Sequence, residues 1–230
     1  MLGVQFQKVG GGALSINEAF KEPAIGTFVG TTTDTSSDRL QVWNPQTQNY
    51  ASYWFGDWAD SEDYNRKWYP LGSDEYATEN VVEPGVGIWF ISKNVNSANA
   101  LIVGEVISTN ITIKFKAGGL TAWSNPFPVP LSLSDVSDGG TIDWVNSDLT
   151  GAASDSASDR LLIWNPLTQN YATYWFGDWD DDEDYNRKWY PLGSDEFATT
   201  DIIPVGGSAW LNLAASENDV VITLVAPDLN

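Results

Sequence analysis

The chain has no cysteine and no histidine. Their absence removes disulfides, thiol nucleophiles, Ser-His-Asp triads, Cys/His zinc sites and histidine-ligated haem. Carboxylate chemistry and hard-cation sites are what remain easy to build. Positive charge is also scarce. Eleven Lys and Arg stand against 31 Asp and Glu, for a net charge of −20. The basic residues are scattered singly or paired as Arg66-Lys67 and Arg187-Lys188, beside acidic runs. A polyanion needs a local basic patch, so this distribution argues against nucleic acid and anionic membrane surfaces as partners. No apolar run is long enough for a spanning helix, so no membrane insertion is expected. The opening MLGVQFQKVGGG has no basic stretch ahead of an apolar core. An exported chain would therefore have lost its leader already.

What is present is a repeat. Residues 38–80 read DRLQVWNPQTQNYASYWFGDWADSEDYNRKWYPLGSDEYATEN, and residues 159–201 read DRLLIWNPLTQNYATYWFGDWDDDEDYNRKWYPLGSDEFATTD. The offset is 121 without a gap, and 34 of the 43 positions are identical. The identity stops abruptly at both ends, so the block is under a constraint its flanks escape, or has been homogenised locally. Weaker correspondences extend it. Val4-Gln5-Phe6 resembles Ile113-Lys114-Phe115, Phe20 resembles Phe127, and Trp89 falls on Trp210. Two tandem units follow, 1–108 and 109–230, with about 12 extra residues of the second placed in 129–158.

The expected fold class is all-β, as two closely packed sandwich-like domains. A hydrophobic fraction of 42% is that of a folded protein. Turn formers are spread evenly, which favours many short strands. Period-two patterning and β-branched content place strands at 4–9, 39–43, 49–55, 86–92, 101–107 and 111–116, then 160–164, 170–176, 208–213 and 220–225. Asn44-Pro45 and Asn165-Pro166 end their strands and open short hairpin connections. The link between units, Ile107-Ser-Thr-Asn-Ile111, has no Pro or Gly. Close packing, or a shared sheet edge, is therefore expected.

Eight of the 12 Trp lie in the two blocks. In residues 49–55, Tyr50 and Trp54 point one way and Tyr53 and Phe55 the other. Such a strand is either covered on both faces or exposes an aromatic patch. Trp58, Trp68 and Tyr69, with their copies Trp179, Trp189 and Tyr190, flank an acidic loop. They are core residues, or a platform for a sugar or a partner subunit. The loop holds Asp57, Asp60, Glu62, Asp63 and Asn65, copied as Asp178, Asp181, Glu183, Asp184 and Asn186. Closely spaced carboxylates with an amide oxygen suit calcium, although the EF-hand spacing is missing. Asp57, Asp60, Asp63, Asp178, Asp181 and Asp184 are the candidate calcium ligands. A solvated turn paired with Arg66-Lys67, or an acidic subunit contact, are the other readings. The same acids could form a glycosidase pair. Two identical copies without catalytic accessories argue against it, and no enzyme activity or other cofactor is expected.

The pattern resembles a tandem β-domain repeat of bacterial secreted surface and filament proteins. The residues that carry it are Trp43-Asn44 and Trp164-Asn165, the Tyr-rich strands ending Phe-Gly-x-Trp, Pro84-Gly85-Val86-Gly87-Ile88-Trp89-Phe90, Gly104-Glu105-Val106 and Asn125-Pro126-Phe127. The second unit departs from it, with Val205-Gly-Gly-Ser208 at the turn and Thr223-Leu224 for Gly-Glu. The resemblance implies an extracellular or cell-surface all-β module rather than a reaction. Together these features lead to a self-assembling subunit of a filament or surface layer, joined by strand pairing at its termini. The alternatives are a bivalent polysaccharide-binding module and a virion decoration or tail protein.

Overall fold

The computed structural model describes residues 6–22, 24, 27–59, 63–94, 104–165, 167–179, 185–200 and 202–228. It is all-β. The chain opens with β1 (Phe6–Gln7) and β2 (Leu14–Ser15), then a single helical turn, α1 (Ile16–Ala19). A capping box starts that turn: the Ser15 hydroxyl accepts from Glu18 N, and the Glu18 carboxylate accepts from Ser15 N. Next come β3 (Arg39–Asn44), β4 (Asn49–Gly56), β5 (Lys67–Pro70), β6 (Val81–Val82), β7 (Ile88–Ile91) and β8 (Glu105–Val106). The second half holds β9 (Ile111–Phe115), β10 (Leu120–Ser124), β11 (Leu131–Ser132), β12 (Arg160–Asn165), β13 (Asn170–Gly177), β14 (Lys188–Pro191), β15 (Ile202–Ile203), β16 (Ser208–Asn212) and β17 (Val220–Leu224).

The two main sheets run β5-β4-β3-β7 and β10-β16-β12-β13-β14, antiparallel throughout. The repeated block folds the same way twice. Arg39 faces Trp54 across β3-β4, and Arg160 faces Trp175 across β12-β13. Each hairpin closes through an asparagine. The Asn44 side-chain oxygen accepts from Gln46 N at 2.9 Å and Thr47 N at 3.2 Å, and Asn165 accepts from Leu167 N and Thr168 N. Gln48 and Gln169 then turn the chain at φ of 51° and 53°.

Alternation along β4 sends Tyr53 and Phe55 into a core with Leu40, Trp68, Ile88 and Phe28. The equivalent Tyr174 and Phe176 enter a larger core with Leu161, Trp189, Leu211 and Trp144. Four Trp are almost wholly buried: Trp68, Trp123, Trp144 and Trp189.

The halves meet in two ways. The strand β10 pairs with β16 along its whole length. Its other edge takes residues 85–87 of the first half. Val86 bridges Trp123, Ser124 N donates to Gly85 O at 2.8 Å, and Gly87 N donates to Ala122 O at 3.3 Å. A side chain at Gly87 would stand 2.6 Å from the Ala122 Cβ, so the approach needs glycine. Residues 85–87, just ahead of β7, thus bridge the first half to the free edge of β10.

Aromatic contacts complete the junction. Trp43 meets Trp210 at 5.1 Å between ring centroids, and Trp89 meets Trp164 at 5.5 Å. The indoles of Trp89 and Trp210 each donate to a tyrosine of their own half, Tyr50 and Tyr171, both at 3.0 Å. All six residues are related by the offset of 121, and the contacts are reciprocal, as a local two-fold relation requires. Burial pushes the Tyr50 hydroxyl up to about 12.

Several strands differ from expectation. The segments Lys67–Pro70 and Lys188–Pro191 are strands although each is short, ends in Pro and follows a polar turn. Proline is tolerated there because β5 and β14 are edge strands and the bonds to the neighbouring strand pass through the next residue, with Leu71 N donating to Ser52 O at 2.8 Å and Leu192 N to Thr173 O at 2.9 Å. The β10 strand was hidden because Thr121 and Ser124 interrupt its apolar pattern, yet both are buried. The matching of the halves also shifts. Phe6 faces Val106 as Phe115 faces Val220, and the two phenylalanines are offset by 109. Leu14 faces Val82 as Leu131 faces Ile203, where the leucines are offset by 117 and their partners by 121. At Asp38 and Asp159 the offset is 121. Eight of the 12 extra residues therefore lie ahead of Leu131, where they accommodate β10, and only four follow it.

Candidate functional site

Both faces of β4 are covered, so the two-sided aromatic pattern does not leave a bare platform. Trp54 points away from the core and packs against Trp58 at 5.3 Å and Tyr69 at 5.2 Å, with Trp58 to Tyr69 at 4.7 Å. In the second half Trp175, Trp179 and Tyr190 make the same triad at 5.5, 4.9 and 4.8 Å. Each triad rests on a glycine. A Cβ at Gly56 would lie 2.3 Å from the Trp58 ring, and one at Gly177 would lie 2.5 Å from that of Trp179. The absent side chain is what lets the indole fold back over the strand.

Four of the six candidate platform residues are therefore interior. Trp68 and Trp189 are core, because they alternate inward on β5 and β14. Tyr69 and Tyr190 alternate outward but are sealed beneath Trp58 and Trp179. Their hydroxyls donate to the carbonyls of Tyr64 at 2.6 Å and Tyr185 at 2.8 Å, which fastens the end of the acidic loop. Burial raises the Tyr69 hydroxyl to about 12. Trp58 and Trp179 alone stay half-buried.

The loop is closed by its asparagines. Asn65 accepts from Trp58 N at 2.9 Å, and Asn186 accepts from Trp179 N. Arg66 and Arg187 follow in left-handed backbone, φ 52° and 54°. Their guanidinium groups lie 5.1 Å over the rings of Phe55 and Phe176. Arg66 binds Glu22 and Asp57. Arg187 binds Asp178 at 3.4 Å and the carbonyls of Val145 and Ser147. Asp57 and Asp178 are thus engaged by arginine in this structure. Asp63 is exposed, while Asp60, Asp181 and Asp184 lie outside the described residues. Among the described residues no three acidic side chains gather as a metal site would need.

Sequence reasoning missed the buried carboxylates. Asp38 and Asp159 are wholly buried at the first position of each repeated block. Asp38 accepts from Val29 N at 2.8 Å and Lys93 N at 2.6 Å. Asp159 accepts from Thr150 N at 2.9 Å, Ala215 N at 3.2 Å and the Ser216 hydroxyl. Burial pushes the Asp159 carboxyl above its usual range. The signal was available: both residues stand at the start of the repeated block, and Ser37/Ser158 and Asp34/Asp155 ahead of them match at the same offset.

Asp135 works similarly outside the repeat. It accepts from Ser137 N at 2.8 Å, Trp144 N at 2.6 Å and Val145 N at 2.8 Å. Burial alone would raise its pKa, but these donors outweigh burial and hold it below the usual range. Backbone and hydroxyl donation from Ser15, with Lys8, takes Glu18 down to about 2. A depressed carboxyl stabilises the fold above its unfolded pKa and loses that contribution as pH falls. The thermal midpoint is therefore expected to drop as pH is lowered from the ordinary carboxylate range towards 2. The Asp135→Asn variant should show a shallower drop. Calorimetry across that range checks both.

No protein-family model, curated protein or solved structure matches the chain.

Proposed function

We propose that the chain is a structural subunit that assembles with copies of itself, in an extracellular filament or surface layer. One observation carries this reading: the halves display the same exposed apolar side chains at equivalent positions. Leu71 is 51% and Leu192 54% exposed, and Val81 is 48% and Ile202 45% exposed. Single exposed apolar residues are ordinary. A pair shown twice on one chain gives each subunit two related contact faces, and such contacts propagate when their rotation does not close. The absence of Cys and His, and the resemblance to bacterial surface repeats, support the same reading. Calcium binding by the acidic loop belongs to this proposal as an aid to assembly rather than a requirement for it. The residues that would pair at the extreme N-terminus, 1–5, lie outside those described.

Light scattering and negative-stain electron microscopy test it, on purified protein across a concentration series, with and without calcium. Ordered, concentration-dependent polymers are expected. Leu71→Lys combined with Leu192→Lys should abolish them without lowering the melting temperature. A monomer that persists at high concentration under both conditions would overturn the proposal.

A further inference from the structure

We infer that the second half carries a groove that binds a neutral oligosaccharide, at one site per chain. The groove is a cavity of about 860 Å³ beside the acidic loop. That volume lies within the range of small-ligand pockets. Its aromatic surface is Tyr185, which is 48% exposed, and Phe197, with ring centroids 6.0 Å apart. Its polar rim includes Ser137, Asp138, Lys188 and Thr199.

The charges select the ligand class. Lys188 is paired with Asp138 and sits 5.6 Å over the Phe197 ring. The neighbouring Arg187 is taken by Asp178 and by two carbonyls. An anion would meet paired cations on a chain of net charge −20. A cationic ligand would have to compete with Lys188 for Asp138. A pyranose needs neither charge. Its C–H face lies against an aromatic ring, while its hydroxyls bridge the adjacent donor and acceptor of an ion pair.

The count of one follows from the walls. The aromatics are duplicated, since Tyr64 and Tyr76 stand 6.2 Å apart in the first half. The wall is not. Ser137, Asp138 and Val145 come from the segment between β11 and β12, where the two halves diverge. On the corresponding flank of the first half, Glu22 is locked onto Arg66 and Phe20 is buried under Trp68. This site does not depend on the assembly reading, because the Leu71 and Leu192 positions do not line it.

The experiment is a titration of the full chain, followed by calorimetry and by amide NMR shifts. The probes are neutral hexaoses of glucose, xylose, mannose and N-acetylglucosamine, with an oligogalacturonate as the acidic comparison. One or more neutral hexaoses should bind with a Kd on the order of 10⁻⁴ M and a stoichiometry of one. Tyr185→Ala should weaken binding about tenfold or more, which is the loss of one stacking contact. Tyr185→Phe should retain it, and so should Tyr64→Ala. Three results overturn the inference: no neutral hexaose binding, tighter binding of the acidic oligomer, or a Tyr64→Ala loss equal to that of Tyr185→Ala. Unchanged melting of Tyr185→Phe and Tyr64→Ala guards against an effect on folding.

Discussion

Alanine at Asp38 or at Asp159 is expected to lower the unfolding free energy by about 3–5 kcal/mol. Each carboxylate is the common acceptor for segments that are distant in sequence. Asp38 ties residue 29 to residue 93, across the sheet edge from β3, and Asp159 ties residue 150 to residues 215 and 216. Alanine removes the acceptor and leaves at least two part-buried backbone N–H groups unpaired. An unpaired buried donor costs about 1–3 kcal/mol. The backbone of the same residue is also engaged: Asp38 N donates to Val29 O, and Phe55 N donates to Asp38 O. The loss would therefore spread into β4. A domain of ordinary stability has about 5–15 kcal/mol in all, so the double variant should be unfolded at room temperature. Asparagine keeps one acceptor oxygen and should cost less than alanine at either position. Urea titration followed by tryptophan fluorescence measures these differences. A cost below about 1 kcal/mol for alanine would mean that water replaces the carboxylate, contrary to its complete burial.

The second large effect concerns the paired core tryptophans. Trp68→Ala and Trp189→Ala should each cost about 3–5 kcal/mol, the usual range for emptying an aromatic site in a packed core. Phenylalanine separates them. The Trp68 indole donates to Phe20 O at 2.9 Å, whereas the Trp189 indole has no acceptor among the described residues. In place of that bond, Trp189 packs edge-on against Trp144 at 5.2 Å. Trp68→Phe therefore leaves a buried carbonyl without its donor, and Trp189→Phe does not. The first should be the more destabilising by about 1 kcal/mol or more. Equal losses in denaturant titrations would contradict that difference.

The fold was legible wherever local pattern and burial coincide. The hairpins β3-β4 and β12-β13 lie within one residue of their expected limits, because Asn-Pro marks the turn and the alternation is strong. The close junction of the halves was legible in the short link. The role of Trp68 and Tyr69 was not. Proximity to an acidic loop suggested a surface, but the loop is held at its ends by Asn65 and by the Tyr69 hydroxyl, which leaves both rings inside. The groove was not legible either. It forms where Tyr185 and Phe197 of the repeat meet Asp138 and Val145, residues that no local pattern connects.

The position of β10 bears on how the molecule would come apart. By sequence it belongs to the second copy, yet the backbone of the first copy at residues 85–87 is hydrogen-bonded to it. The repeat read from the sequence and the unit expected to melt are therefore different. A cut in the link ahead of β9 would strip the first half of a neighbouring strand and expose Trp43 and Trp89 to water. Heat should accordingly dissolve both halves in a single cooperative transition, and the boundary written in the sequence is not a seam along which the protein divides.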